Sequence, residues 1–522
     1  MFNDFGYKQF TCGVVIALTL GLGGCQVGTD YVKPTVNTPK HWHAEDDVHK
    51  TKHKASEAQV RPWDRFKDPQ LTAFIHEAVL HNKSLQRAAE RVKQYEALLG
   101  IAQSDLYPQV DLVAKGEILQ SAKEDSATQN IQHSSQWHLD GGINVSYEID
   151  LWRRVRSQEE SALALLLAEH ASKKTILLAV ETAVAQRYLT LRALDAALIL
   201  AEESAALSAK QLHLAQQRLY RGFTSALEAE DAKTEFEAAK QEVADLKRQI
   251  TIEEHALCVL LGRNPGTIKR GKPIQHIYLP QVVVGVLPSQ VLKHRPDIEQ
   301  AEQMLRSKHA DVNVAEAAFF PRIDLLAFLG GQSMESGALF GQTALIGGLG
   351  AGLTAPLFQG GRIRSQLNAA KAEHREALIF YLETVQAAFQ ETEDALVGSH
   401  KKILTYQYQC SIQRAQERAF KLQRSRFQEG LTSSFDLFEA KKTLLQIQQQ
   451  SLQLRLQAFL EQLKLYKALG GSWTQKQRPH SPQKKTAQKT APGSTPKAKP
   501  AAKNANAVTQ HKTAPHAHHV AG

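Results

Sequence analysis

Hydrophobic and polar positions along this chain follow two different periods. From Ile143 to Leu151, the residues Ile143, Val145, Tyr147, Ile149 and Leu151 alternate with Asn144, Ser146, Glu148 and Asp150. Successive side chains of a strand point to opposite faces, so this pattern predicts a strand with one apolar face. Its nine residues are the length with which a tilted strand crosses a bilayer. Val110, Leu112, Ala114 and Ile118 alternate with Asp111, Lys115 and Glu117 in the same way, and Leu349, Ala351, Leu353, Ala355 and Leu357 with Gly348, Gly350, Gly352 and Thr354. A half-buried sheet away from any membrane fits the alternation as well. Tyr107, Trp152, Phe319, Phe320 and Phe358 sit at the strand ends, where an aromatic girdle is placed in a membrane barrel.

Elsewhere the period is helical and the runs are long. Ser157 to Tyr220 contains no Gly or Pro, and at 1.5 Å per residue such a helix reaches about 95 Å. Ile363, Ala370 and Ala377 recur every seven residues, as do Leu367, Tyr381 (two steps on), Ala388 and Ala395, and Phe438, Leu445, Leu452, Phe459 and Tyr466. Heptads of this kind argue for coiled-coil packing. An ordinary bundle core fits the spacing but not the length.

The chain also repeats itself. Arg154-Val-Arg-Ser157 recurs as Arg362-Ile-Arg-Ser365, Gly222-Phe-Thr-Ser225 as Gly430-Leu-Thr-Ser433, and Ala256-Leu-Cys-Val-Leu-Leu-Gly262 as Lys464-Leu-Tyr-Lys-Ala-Leu-Gly470, each at an offset of 208. Tyr107-Pro-Gln-Val-Asp-Leu112 matches Phe320-Pro-Arg-Ile-Asp-Leu325 at an offset of 213. Landmarks held in constant register mark a tandem duplication of a unit of roughly 210 residues. Each unit reads as helix, two strands, long helix, turn, helix. Residues 1–24 read as a lipoprotein signal peptide and 25–65 as an extended N-terminal segment. The first repeat is 66–288, with its hairpin at about 109–151. The second is 289–473, with its hairpin at about 322–357, and 474–522 is a disordered basic tail. Four short amphipathic strands do not close a barrel, and open edges are not tolerated in lipid. Eight strands from two copies leave a lumen filled by side chains, so a duct needs at least three copies and twelve strands.

Composition changes this picture little. The formal net charge is +10, but from Gln475 onward there are nine Lys or Arg residues and no acid. The body is therefore nearly neutral, which does not read as a nucleic-acid-binding fold. Cys258 and Cys410 stand far apart in helical stretches, with no metal spacing, and read as buried small residues. At the N-terminus, Cys12 to Leu22 is an apolar stretch of signal-peptide length ending in Leu22-Gly23-Gly24-Cys25. Small residues before a cysteine resemble a bacterial lipobox, in which the Cys25 thiolate takes a covalent lipid. Gln26 at the next position implies sorting to the outer membrane.

These residues resemble the TolC-like outer-membrane factors, in particular the lipoprotein branch (NodT/OprM-like) that serves drug-efflux pumps. The resemblance runs from about Cys25 to Trp473. It is carried by Val27-Gly-Thr-Asp-Tyr-Val-Lys-Pro34, Pro62-Trp-Asp-Arg-Phe-Lys-Asp-Pro-Gln-Leu71, Tyr147-Glu-Ile-Asp-Leu-Trp-Arg-Arg-Val-Arg156, His294-Arg-Pro-Asp-Ile298 and Leu357-Phe-Gln-Gly-Gly-Arg362. Two departures are Thr29, where the family has Pro, and Arg153, where it has Gly. The resemblance implies an α+β membrane protein: a homotrimer with a twelve-stranded outer-membrane β-barrel continued by a periplasmic α-helical barrel. It implies an exit duct of a tripartite efflux system, lipid-anchored in the outer membrane and passively conducting small molecules or drugs. Its partners would be a periplasmic adaptor, an inner-membrane pump of RND type and outer-membrane lipid. Secretion of proteins or peptides through the same pore is an alternative, as is a periplasmic coiled-coil scaffold that never inserts.

The predicted functional residues lie at the turns between the long helices, at Gly222 and Gly430. Each turn is followed by acids, Glu228 and Asp231 in the first unit and Asp436 and Glu439 in the second. The resemblance places a bulky apolar ring at Phe435 and an acidic ring at Glu439, forming a periplasmic gate, and puts Thr432 where a latch arginine stands. A solvated helix face explains any single acid equally well. No catalytic constellation, cofactor or metal site is expected. Gly347-Gly-Leu-Gly-Ala-Gly352 imitates a dinucleotide fingerprint but falls within a strand. His41, His43, His49 and His53, and His516, His518 and His519, read as solvated residues in polar sequence.

Overall fold

A computed structural model describes residues 27–39, 42–43, 62–124, 131–280, 288–333 and 345–471. The leader, Cys25, much of the extended segment and the basic tail lie outside the described residues. The chain divides into a unit of Met1–Thr474, described below, and a second of Gln475–Gly522, which is outside them.

After a short 3-10 turn at Pro62–Phe66 come helices α1 (Pro69–His81) and α2 (Lys83–Ser104), then strands β1 (Gln109–Glu124) and β2 (Ile131–Glu148). Helices α3 (Arg154–Tyr220) and α4 (Ala226–Leu260) follow, then α5 (Pro288–His294) and α6 (Pro296–Ala317). Strands β3 (Arg322–Ser333) and β4 (Leu345–Thr354) and helices α7 (Arg362–Gln428) and α8 (Ser434–Ala468) complete the described strands and α-helices. The repeat offsets seen in the sequence also relate these helices. α2 and α6 both have 22 residues, α3 and α7 both 67, and α4 and α8 both 35. No described helix is long and apolar enough to cross a membrane.

What fixes the lengths is the same punctuation in each half. α3, α4, α7 and α8 all run into a glycine in the left-handed region: Gly222, Gly262, Gly430 and Gly470. At each, the next residue's N–H reaches back to a carbonyl of the last turn, as Phe223 N does to Arg218 O and Leu431 N to Arg426 O, both 2.8 Å. This closure satisfies carbonyls that a helix end leaves open, and a side chain at that φ would be strained. Ser225 and Ser433 cap the following helices.

The helices then lock to one another by a device that each half makes from different residues. In the first half, the Asn82 amide, at the cap of α2, donates to Leu260 O, the last carbonyl of α4, at 2.8 Å. In the second, Arg295 at the cap of α6 donates to Ala468 O, the last carbonyl of α8, at 3.1 Å and pairs with Asp297 and Glu391. The guanidinium is buried against the negative end of a helix, and a bond from a charged donor contributes about 1.5–3 kcal/mol. The packing is tight: a Cβ on Gly262 or Gly470 would meet His81 O or His294 O at 2.3 or 2.6 Å.

The heptad seams are the packed ones. Tyr381, Ala388 and Ala395 of α7 and Leu445, Leu452, Phe459 and Tyr466 of α8 are buried, while Ile363, Leu367, Ala370 and Ala377 are half-buried. The largest core joins Phe459, Tyr188, Leu257 and the α1 face of Leu71, Phe74 and Ile75. At its edge the Tyr188 hydroxyl donates to Asp68 at 2.7 Å. Cys258 is buried, as expected; Cys410 is only half-buried, and both thiols are free.

The sheet has the order β1-β2-β3-β4, antiparallel throughout. Two strand expectations need correction. β1 and β2 have 16 and 18 residues, not nine, because the backbone ladder continues beyond the alternating stretch. β2 also ends at Glu148 rather than Leu151. The Asp150 carboxylate caps α3, accepting from Val155 N at 3.1 Å and Arg156 N at 3.0 Å. β4 likewise stops at Thr354, short of Leu357.

Candidate functional site

Among the side chains described, the sheet keeps charge off one of its two faces. The pairing register puts Leu112, Ile143, Leu329 and Gly347 in one row, and Val110, Val145, Ala327 and Leu349 in the next. These rows share one face, which carries no charged residue among the side chains described; Leu112 and Leu349 on it are both 85% exposed, while Val145 and Ala327 are half-buried. Asp111, Lys115, Glu117, His138, Asp140, Glu148, Arg322 and Asp324 all fall on the opposite face by the same register. Charge on one side and bare leucine on the other is the arrangement of a sheet with lipid outside and water inside. The expected girdle residues cluster where sheet meets helices: Trp152 donates to Pro321 O at 2.7 Å and packs on Phe320 with ring centroids 4.8 Å apart. Nearby, Arg153 adopts φ 60°, and its repeat counterpart Gly361 adopts φ 85°. The left-handed turn that starts α3 and α7 explains why glycine suits this position.

The second region is the pair of helical hairpin tips. Gly222 lies between α3 and α4 and Gly430 between α7 and α8, where the sequence put them. The two hairpins lie side by side: Lys442 bonds Glu235 at 2.7 Å, Gln449 bonds Glu242 at 2.6 Å, and Lys441 pairs with Glu203 at 2.6 Å. The hydrogen bond from Lys442 to Glu235 holds the ammonium above its usual range.

The four predicted acids do not play one role. Glu228 and Asp436 are counterparts across the 208-residue offset, and both are engaged in helix caps. Asp436 closes a capping box with Ser433, accepting from Ser433 Oγ at 2.7 Å and Ser433 N at 3.1 Å, and it accepts from Thr432 Oγ1 at 2.8 Å. Glu228 accepts from Thr224 and its N–H donates to Ser225. Thr432 thus ties its own turn. The other pair, Asp231 and Glu439, are also counterparts and are exposed; Glu439 has only Lys442 at 4.0 Å. Phe435 is 48% exposed and its counterpart Leu227 is 69% exposed. Leu227 and Phe223 went unnoticed in the sequence, although aligning the repeats on Gly222 and Gly430 brings them out.

Among the described residues no group of three His, Cys, Asp or Glu side chains could hold a metal ion. His43 is exposed, its backbone N–H bonded to Glu393 at 2.7 Å. Cys25 and the remaining histidines of the two clusters lie outside the described residues.

Comparison with known proteins agrees with this geometry. The sequence profile of the family described as outer membrane efflux protein matches residues 74–263 and 287–471. A toluene efflux pump outer membrane protein of Pseudomonas putida, TtgC, is 30% identical over 459 residues, covering 87% of this chain and 93% of its own. The cation efflux system protein CusC of Escherichia coli is 27% identical over 464 residues, covering 88% and 98%. Among solved structures, the outer-membrane channel OprN superposes with a TM-score of 0.76 at 25% identity, covering 86% of this chain and all of that one. The MtrE outer membrane channel of Neisseria gonorrhoeae gives 0.71 at 26% identity, covering 86% and 98%.

One consequence is specific to the tip. Hydrogen bonds, first from the Ser433 side chain and then from Thr432, hold the Asp436 carboxyl below the usual aspartate range. A depressed folded pKa contributes stability that is present above the unfolded value and lost as pH falls through the folded one. Protection of the amides in the first turn of α8 from hydrogen exchange, taken relative to the intrinsic rate at each pH, is therefore high at neutral pH and falls as the medium is taken below about pH 4. In Asp436→Asn this acid-induced loss of protection is absent. An equal acid response in the variant would show that Asp436 does not govern this turn.

Proposed function

This chain belongs to the outer membrane efflux protein family, and on that premise we propose that it is the outer-membrane exit duct of a tripartite efflux system. In this reading it conducts small molecules or drugs passively, taking them from an inner-membrane pump of RND type through a periplasmic adaptor. The observation that carries it is a sheet face free of charge among the side chains described, joined to two edge strands that have no strand partner among the described residues. An edge exposed to lipid leaves backbone N–H and C=O groups unbonded, each at a cost of several kcal/mol. Three copies remove every edge by pairing β4 of one with β1 of the next, giving twelve strands with the charged face inward. The helices then extend the duct into the periplasm. The same charge-free face argues against a scaffold that never inserts. Cys25 carries acyl chains and adds a second hold on the outer membrane.

The tips form the periplasmic gate. Three copies with two hairpins each bring six tips around one axis, with Leu227 alternating with Phe435 and Asp231 with Glu439. Glu228 and Asp436, engaged in caps, shape the turns. Apolar and acidic side chains together occlude the opening, and the ring of like charges holds cations in its mouth.

Two measurements test these assignments. Cells fed a palmitate analogue will label the wild-type protein and leave Cys25→Ala unlabelled; an unlabelled wild type would refute the lipid anchor. In planar bilayers, Phe435→Ala combined with Glu439→Ala will raise single-channel conductance at fixed salt. If the double variant conducts no more than wild type, the constriction lies elsewhere.

A further inference from the structure

The charged face of the sheet is not uniformly polar. Register sorts it into layers. One end holds Glu148, Asp324 and Arg322, with Arg154 bonding Glu148 at 2.9 and 2.6 Å. Toward the other end lie the Lys115–Glu117 ion pair and His138 beside Asp140. Between them are rows in which Leu326 stands beyond Ser146, Phe328 beyond Asn144, and Val113 and Ile346 flank Gly142 and Gly330. A band in which Asp111 is the one charged side chain, and Leu326, Phe328, Val113 and Ile346 are apolar, therefore crosses the face that the barrel reading turns toward water. Measured along β2 from Gly142 to Ser146 it is about 13 Å tall at 3.3 Å per residue.

Phe328 is the centre of this band, and the chain makes room for it. A Cβ on Gly142 or Gly330 would lie 2.9 or 2.7 Å from the Phe328 ring edge. Gly348 and Gly350, with open space where a Cβ would be, leave the adjoining strand bare. The ring lies over glycines on one side and is only half-buried, so its other side is free. Asp111 shares its row, separated from it by Asn144. With strands about 4.8 Å apart, the carboxylate stands about 10 Å from the ring. It is exposed and makes no ion pair among the described residues. Among the side chains described, the strands of this face carry five carboxylates (Asp111, Glu117, Asp140, Glu148 and Asp324) against Lys115 and Arg322, with Arg154 bonded to Glu148, which leaves the described face net negative.

We propose that Phe328, Leu326, Val113 and Ile346, with Asp111 as their charge, form a contact belt inside the barrel for aromatic cations. The belt rests on the barrel reading above and specifies its cargo. A flat apolar cation of drug size meets a ring and aliphatic side chains with its body while its charge stays near a carboxylate. An anion of the same shape meets the same surface against a negative field. The belt holds such a molecule weakly, which suits a path that must release what it binds.

Tetraphenylphosphonium and tetraphenylborate have nearly the same shape and opposite charge, and so serve as probes. With full-length protein in planar bilayers, tetraphenylphosphonium will reduce the potassium current of wild type, and tetraphenylborate will do so far less. Phe328→Ala will weaken the tetraphenylphosphonium block by about three- to tenfold, the scale of one aromatic contact. Asp111→Asn will narrow the difference between the two probes. Ile346→Ser lies on an edge strand with an exposed side chain; it is expected to weaken the block too and carries the test if Phe328→Ala does not assemble. Equal block of wild type and of the assembled variants overturns the belt and leaves the duct intact. A wild-type protein that opens no channel overturns the barrel reading and the belt together.

Discussion

The hydrogen-bonding demand of two strand edges governs this molecule. Among the described residues, β1 and β4 each present a free ladder edge, and the sheet between them has one face whose described side chains carry no charge. In water such a sheet would associate face to face; in lipid its edges would be left without partners. Closing the ladder with further copies meets both demands at once. It also decides which face is inside, because burying Glu148, Asp324 and Arg322 against acyl chains is far costlier than burying Leu112 and Leu349. In the proposed closed assembly, this closure also sets α3 and α7, which follow β2 and β4 through left-handed turns at Arg153 and Gly361, around a common axis.

The helical part serves that geometry by keeping two halves equal. α3 matches α7 and α4 matches α8 residue for residue, and both hairpins turn at a glycine and re-enter helix through a serine cap, so the two hairpins have equal length. Asn82 and Arg295 show that the fold preserves a bond rather than a residue. A neutral amide does in one half what a buried guanidinium with two carboxylates does in the other. Divergence of this kind leaves the scaffold symmetric while allowing the tips to differ, as Leu227 and Phe435 do.

Much of this was legible in the sequence, and what was not has a physical reason. Strand alternation revealed the apolar face because a period of two survives wherever one side meets lipid, and the glycine landmarks revealed the hairpin turns because left-handed φ demands them. Strand ends were not legible: Ile149 and Leu151 continue the apolar pattern, but Asp150 is needed to cap α3, and a capping carboxylate looks the same in sequence as a strand's polar face. The tip acids were grouped by charge, whereas the structure divides them by hydrogen bonding, with Glu228 and Asp436 committed to caps and Asp231 and Glu439 free of them. The Asn82–Arg295 equivalence could not be read at all, since it joins residues 178 and 173 positions from their acceptors. The band around Phe328 was hidden because it depends on cross-strand register, which brings together residues of four strands from both repeats.

The central claim, that open edges force a closed assembly of three, is tested most directly by native mass spectrometry of the full-length protein extracted from outer membrane in mild detergent. The account predicts a single species with three times the mass of the mature chain, stable without cross-linking. A monomer or a dimer as the species that carries channel activity would contradict it, since neither supplies the twelve strands that an open lumen requires.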